Sequence, residues 1–481
     1  VDRVEPPVLV ELGEDADGSP PVGRTARPRR PWWPALLVVV AVVLVTAQVV
    51  TDARERARVA ALARVPGVLA PLPGPPREVW WLDRSATGDV EVVGSLLLEE
   101  RAAADGALSV AARDVGTGVV RWEVTLLEAA ATPLPEGTAR YGLQCAPGLP
   151  GRLVCLVNDA TGTTAPTDGP GAVLVRSTPA TSADVVVVDL ATGDVGARYP
   201  AGSGAVVAAG VGVVGDVVVL AAPLDDGTSV WALDPATGAE RWRVVAGTGF
   251  GGGWLRWGAE VRVVPVGDDA VGVLGAGAVL LSASDGSTSG TVGTLGTVPG
   301  ALPDGSALVA GVEGYVRLLH PDGDVRLDGA PVQVTVDDGS VPHLALTTFG
   351  GLRAWDATTG AERWRARNVV GLAEALVLGG RAHVHDGHRV TTFDARTGDV
   401  LWGVTVSELA DAPMVVTDLA TDGAHLLVAG LDAATGRATL VALDAADGAP
   451  RWHVDLPAWS SVEDVDGVLL ATSPEGTAVL R

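Results

Sequence analysis

The sequence predicts an all-β protein, a β-propeller of four-stranded blades, preceded by one transmembrane helix. Three observations carry that expectation. A turn-and-tryptophan pattern, D-x-x-T-G-x-x-x-W, recurs along the chain. Between its copies lie short β-branched runs separated by turns of two to five residues, with no helical periodicity. One charge-free apolar run stands near the N-terminus.

The apolar run comes first in chain order. "PWWPALLVVVAVVLVTAQVV", residues 31–50, carries no charge. At about 1.5 Å per residue it just crosses a hydrocarbon layer of about 30 Å. Trp32 and Trp33 suit a membrane–water interface. A cleaved signal peptide is the alternative, but the run is long for one and "TDARERAR" follows without a small-residue cleavage pattern. Arg24, Arg27, Arg29 and Arg30 precede the span; Arg54, Arg56, Arg58 and Arg64 follow it, diluted by Asp52 and Glu55. The undiluted "RPRR" places the N-terminus inside. The expected organisation is a disordered cytoplasmic tail (1–30), a transmembrane helix (31–50), a stalk (51–77) and an extracytoplasmic propeller (78–481).

The full repeat begins at Asp114, Asp234, Asp356 and Asp394, with Gly118, Gly238, Gly360 and Gly398 at its fifth position and Trp122, Trp242, Trp364 and Trp402 at its ninth. Asp444 opens a copy with Asp447 in place of Thr, keeping Gly448 and Trp452; Asp189 opens one in which Ala197 replaces Trp. The 122 residues between Asp234 and Asp356 hold about three periods, so two worn copies are expected, at 279–292 and 316–327. That makes eight blades. The leftover "EVWWLD" (78–83) and "GVLLATSPEGTAVLR" at the C-terminus either close the ring by pairing the chain ends or form a ninth blade.

Each motif position has a physical task. The Asp accepts backbone N–H groups of the turn, and the Thr hydroxyl closes it. The Gly takes positive φ. The Trp fills the wedge between adjacent sheets, and its N–H needs a partner.

With these residues in place, the pattern resembles the pyrroloquinoline-quinone-like propeller repeat and its tryptophan-docking motif, over roughly residues 78–481. That family includes quinoprotein dehydrogenases and the propeller lipoprotein of the outer-membrane β-barrel assembly machinery. A quinoprotein would imply an axial quinone, a calcium ion held by carboxylate and amide oxygens, a catalytic Asp and often adjacent cysteines. Here Cys145 and Cys155 are ten positions apart, and Asn occurs only at 158 and 368. No catalytic residue and no cofactor is therefore expected.

Net charge is −24, and Lys is absent. Residues 51–481 hold 52 acids against 29 Arg. Such a body repels phosphate backbones, so nucleic acid is excluded as a partner. The Ala/Val/Gly/Arg-rich composition points to a GC-rich bacterial genome. Cys145 and Cys155 flank a Pro/Gly turn in "YGLQCAPGLPGRLVCLV" and fall opposite each other in a hairpin. A disulfide fits there and suits an oxidising compartment; two buried thiols are the alternative.

In "RAHVHDGHRV", a turn at Asp386-Gly387 makes His385 and His388 cross-strand neighbours, with His383 on the same face as His385. His383, His385 and His388 are candidate metal ligands, against the alternative of a polar hairpin at a blade edge. "GTGFGGGW" (247–254) reads as a flexible loop, and 158–184 as an exposed insertion. The expected role is a non-catalytic interaction, scaffold or ligand-binding module at the cell envelope, its partner an unknown protein or small molecule on a propeller face. The alternatives are a quinoprotein-type dehydrogenase and a metal-binding sensor.

Overall fold

The computed structural model describes residues 33–83, 90–166, 172–204, 206–224, 227–246, 261–266, 269–274, 278–292, 302, 306–310, 315–319, 325–367, 369, 374–409 and 413–481. The expected tail, the first two residues of the expected span and the loop 247–254 lie outside the described residues.

Two compact units divide the chain, Val1–Arg56 and Ala57–Arg481. Helix α1 (Trp33–Leu62) continues from the apolar run through "TDARERARVAAL". Its described side chains begin at Val40, and Val42, Val43, Leu44 and Val45 are 59%, 59%, 64% and 62% exposed. Four consecutive positions sample every side of a helix, so α1 is apolar all round here. Among the described residues no helix is long and apolar enough to cross a membrane.

The helix ends before Pro66 and Gly67, the latter at φ 81°. From Leu62 on, the segment expected as a stalk packs against the sheets. Val68, Leu69 and Leu72 are buried. The Leu69 N–H donates to Thr421 O (2.8 Å) and the Leu72 N–H to Asp422 Oδ2 (3.0 Å).

Ten sheets form among the described residues. Nine follow in series: sheet 1 (90–127), sheet 2 (143–207), sheet 3 (210–246), sheet 4 (262–292), sheet 5 (307–328), sheet 6 (330–366), sheet 7 (374–405), sheet 8 (414–456) and sheet 9 (461–480). Neighbouring strands are antiparallel with one exception among the described residues, and most sheets have four strands. Glu78–Asp83 pairs with Gly476–Leu480, so the first strand and the last lie side by side in sheet 9, with Glu78–Asp83 at its edge. The tenth sheet, of three strands, is built from Thr138–Arg140, Thr161–Pro166 and Ala172–Thr178. The insertion expected as a loop thus contributes two strands.

The first strands lie side by side from sheet 2 to sheet 4, from sheet 5 to sheet 6 and from sheet 7 to sheet 9. At one junction strands hydrogen-bond directly: Gln333–Asp337 pairs in parallel with Glu374–Leu378 of sheet 7. The apolar clusters span successive sheets. One joins Val219, Ala221 and Ala232 of sheet 3 to Val263, Val271 and Leu281 of sheet 4; another joins Val377, Val384 and Phe393 of sheet 7 to Leu346, Leu352 and Trp364 of sheet 6. This face-to-face packing of small four-stranded sheets is that of a β-propeller.

The repeat motif is the link between sheets. Asp234 Oδ1 accepts the N–H groups of Ala236 and Thr237 (both 3.0 Å), and its other oxygen meets Arg241 at 2.9 Å. Asp114 with Arg121 and Asp356 with Arg363 repeat this pairing at 2.7 Å. Most motif glycines lie under an aromatic ring of the preceding sheet; Gly360 instead meets the side chain of Val325. Trp364 covers Gly398 and donates from Nε1 to Ala395 O; Trp242 covers Gly286 and donates to Ala283 O; Trp122 covers Gly193 and donates to Leu190 O, all at 2.8 Å. Trp80 does the same from the first strand, over Gly118. In the sheet whose motif has Ala197, Tyr199 takes the position, covering Gly238 and donating to Ala236 O at 2.6 Å. Trp402 covers Gly448, but among the described residues the Nε1 atoms of Trp402 and Trp452 have no hydrogen-bond partner. At Asp432–Gly436 the same turn forms between the second and third strands of sheet 8, and no ring covers its glycine.

Candidate functional site

The side-by-side first strands present N–H groups that their own sheets leave unpaired, and such groups need acceptors. Side chains of the preceding sheet supply them. Glu100 Oε1 accepts the Cys145 N–H (2.9 Å) and Gln144 Oε1 the Val211 N–H (3.2 Å). Glu374 Oε2 accepts from Leu419 (3.3 Å), and Asp418 Oδ2 from Asp464 (2.9 Å). A line of polar groups therefore runs along the first strands.

Across sheets 1 to 4 this line opens into a cleft of about 760 Å³. Leu98, Val110, Leu156, Val207 and Val263 form apolar walls; Glu91, Glu100, Tyr141, Gln144, Asn158 and Arg262 are its polar groups. Asn158 Oδ1 accepts the Ala160 N–H at 3.0 Å. Gly142 makes room for that amide, since a Cβ there would lie 1.8 Å from Asn158 Oδ1. Cys145, also in the wall, forms a disulfide with Cys155 (S–S 2.07 Å), its direct partner across the hairpin.

Carboxyl groups near the first strands hold protons unusually tightly. Burial, then the charge of Asp466, pushes Glu91 up to about 7. Asp464 rises to about 7, chiefly through burial. Glu374 rises to about 8 through burial and its neighbour Asp418. Asp466 adopts φ 49°, a conformation that Asp tolerates better than most residues.

The three candidate histidines do not converge. His383 is buried, its Nδ1 2.7 Å from Thr392 Oγ1, and burial pushes it down to about 3. His385 is buried with Nε2 4.0 Å from Glu374 Oε2. His388 is exposed at the turn. The expected pairing of His385 with His388 is corrected: His385 pairs with Val390. Asp386 Oδ1 captures the N–H groups of His388 (3.0 Å) and Arg389 (2.8 Å), so Gly387 and His388, not Asp386 and Gly387, occupy the turn. Among the described residues no group of three or more His, Cys, Asp or Glu side chains is arranged to hold a metal.

Both side-chain amide oxygens of the cleft, those of Gln144 and Asn158, accept backbone N–H groups. No motif residue predicted from the sequence, apart from Cys145, lines the cleft. The signal for Glu91 was a lone acid inside the β-branched run "VEVV", but nothing in the repeat pattern marks it.

Residues 279–421 and 386–479 match the family described as outer membrane protein assembly factor BamB. These stretches carry the pyrroloquinoline-quinone-like, BamB-type repeat, on a β-propeller fold. The serine/threonine-protein kinase AfsK of Streptomyces griseus is 31% identical over 130 residues, 25% of this chain and 15% of the kinase. AfsK of Streptomyces coelicolor is 31% identical over 187 residues, 29% of this chain and 23% of the kinase. The chain thus spans less than a quarter of the curated relatives it matches. Among solved structures, BamB from Moraxella catarrhalis is 14% identical, covering 84% of this chain and 99% of that one, with a TM-score of 0.44. Quinohemoprotein alcohol dehydrogenase from Comamonas testosteroni is 14% identical, covering 89% and 83%, with a TM-score of 0.41.

Proposed function

We propose that this chain is a membrane-anchored, extracytoplasmic β-propeller of nine blades that works as a non-catalytic binding module at the bacterial cell envelope. The cleft across sheets 1 to 4 carries this reading. It has apolar walls and a few polar groups, the usual make-up of a ligand pocket, and its two side-chain amides each accept a backbone N–H. The anchor is supported by the charge-free run 31–50 and by a helix whose described side chains from Val42 to Val45 are apolar and exposed on every side. The Cys145–Cys155 bridge supports an oxidising compartment.

Two measurements test this. Protease added to intact cells stripped of their wall should remove the sheets; survival until lysis would reverse the orientation. The full chain, mixed with pyrroloquinoline quinone and Ca²⁺, should not reduce an electron-acceptor dye with alcohols or sugars. Saturable quinone binding with dye reduction would replace the binding module by an enzyme.

A further inference from the structure

The geometry points to an amphiphilic cation, an aliphatic chain bearing a primary ammonium group, as the ligand class of the cleft, with Glu91 as its counter-charge. This rests on reading the cleft as a binding site. The aliphatic walls of Leu98, Val110, Leu156 and Val263 require an apolar body on the ligand. The polar groups decide its charge. Glu100 is engaged by the Cys145 N–H, Gln144 by the Val211 N–H and Asn158 by the Ala160 N–H. Glu91 is different: among the described residues no hydrogen bond or ion pair reaches its carboxyl, and the charge acting on it is that of Asp466, of the same sign. A half-buried carboxyl with a like-charged neighbour and no donor is a poor host for an anion and an incomplete host for a neutral molecule. An ammonium group completes it, giving up to three N–H donors.

The exchange balances as a proton displacement. The Glu91 carboxyl releases its proton to solvent, and the carboxylate accepts hydrogen bonds from the ligand's ammonium group; no covalent bond between heavy atoms changes. The charge acting on Glu91 is that of Asp466, in the turn of sheet 9; Glu100 on the adjacent strand of sheet 1 and Arg262 of sheet 4 line the same cleft. Because Glu91 holds its proton up to about pH 7, affinity for the cation should rise as pH rises through that value.

The test is calorimetric titration of the full chain in phosphatidylcholine nanodiscs, with empty nanodiscs as blank and n-hexylammonium, n-hexanol and hexanoate as probes. Hexylammonium should bind saturably, at least tenfold more tightly than the other two. At pH 6 its heat should vary with the ionisation enthalpy of the buffer, reporting proton release. Glu91→Gln should weaken it at least tenfold and abolish the buffer dependence while leaving the fold intact, because the change removes a buried repulsion. Asp466→Asn, which keeps a residue tolerant of positive φ, should weaken it by a smaller factor. If hexanol binds as tightly as hexylammonium and Leu98→Trp blocks both, the cleft is a binding site and the cationic ligand class is wrong. If none of the three binds, the cleft reading fails with it. Unchanged hexylammonium affinity in Glu91→Gln overturns the assignment of Glu91.

Discussion

Replacing Trp364 with Ala tests whether the motif joins sheets or only shapes turns. The ring is 7% exposed, stacks on Phe393 at 6.0 Å and lies over Gly398, and its Nε1 donates to Ala395 O. Truncating a buried Trp costs roughly 3–5 kcal/mol, and the abandoned carbonyl adds to that. At about 2 cal/mol/K per residue, a cooperative unit the length of Ala57–Arg481 loses about 1 °C of Tm for roughly each 0.9 kcal/mol. The expected drop is thus about 4–6 °C, readable by calorimetry or near-ultraviolet circular dichroism, against less than about 1 °C for exposed Arg437→Ala.

Glycine substitutions separate docking from turn strain. Gly398 and Gly436 have φ of 77° and 66°, so Ala strains both backbones by about 1 kcal/mol. At Gly398 the new Cβ would also lie 2.7 Å from the Trp364 ring, whereas at Gly436 nothing lies within 4 Å. Gly398→Ala should therefore cost clearly more than Gly436→Ala, and the excess should vanish when Trp364→Ala is already present. Equal effects of the two glycine substitutions, or additivity of Gly398→Ala with Trp364→Ala, would refute the docking argument.

Two further outcomes follow from the geometry. Tyr199→Phe removes the bond to Ala236 O but keeps the ring over Gly238, so it should cost about 1 kcal/mol, and Tyr199→Ala about 3 kcal/mol or more, in chemical denaturation. Stability should also peak in mild acid. Glu374, Glu91 and Asp464 bind protons more tightly folded than unfolded, so stability falls as pH rises from their ordinary values through about 7 to 8. Asp234, held down to about 2 first by Arg241, works the other way: its contribution is present above its ordinary value and is lost as pH falls through about 2. Tm at pH 5 should exceed Tm at pH 8.5, and Glu374→Gln should narrow the gap; a Tm that climbs from pH 5 to 8.5 would contradict the buried carboxyls.

The fold was legible because a turn is local chemistry. Asp234, Thr237 and Gly238 act within five residues of chain, and the β-branched runs on either side have no other use than strands, so the pattern states its own geometry. The sequence alone therefore determined an all-β repeat, the place of the Trp in it and the pairing of the two cysteines' strands. It also contained "EVWWLD" and the C-terminal run as leftovers, either to close the ring by pairing or to form a ninth blade. What it could not state was which ring covers which glycine, because that contact joins one sheet to the next across 31 residues for Trp364 and Ala395 and 68 for Trp122 and Leu190. Tyr199 shows why: it stands two positions past Ala197, on the same strand, and its ring covers Gly238 as a substitute. The turn at His385 slipped by one residue for an equally unwritten reason, the capture of two backbone N–H groups by Asp386. The cleft lies wholly on the tertiary side. Glu91 and Asp466 are 375 positions apart in the chain, and only the closure of the sheets around a common line of first strands brings them to the same place, where burial and like charge change what each carboxyl can do.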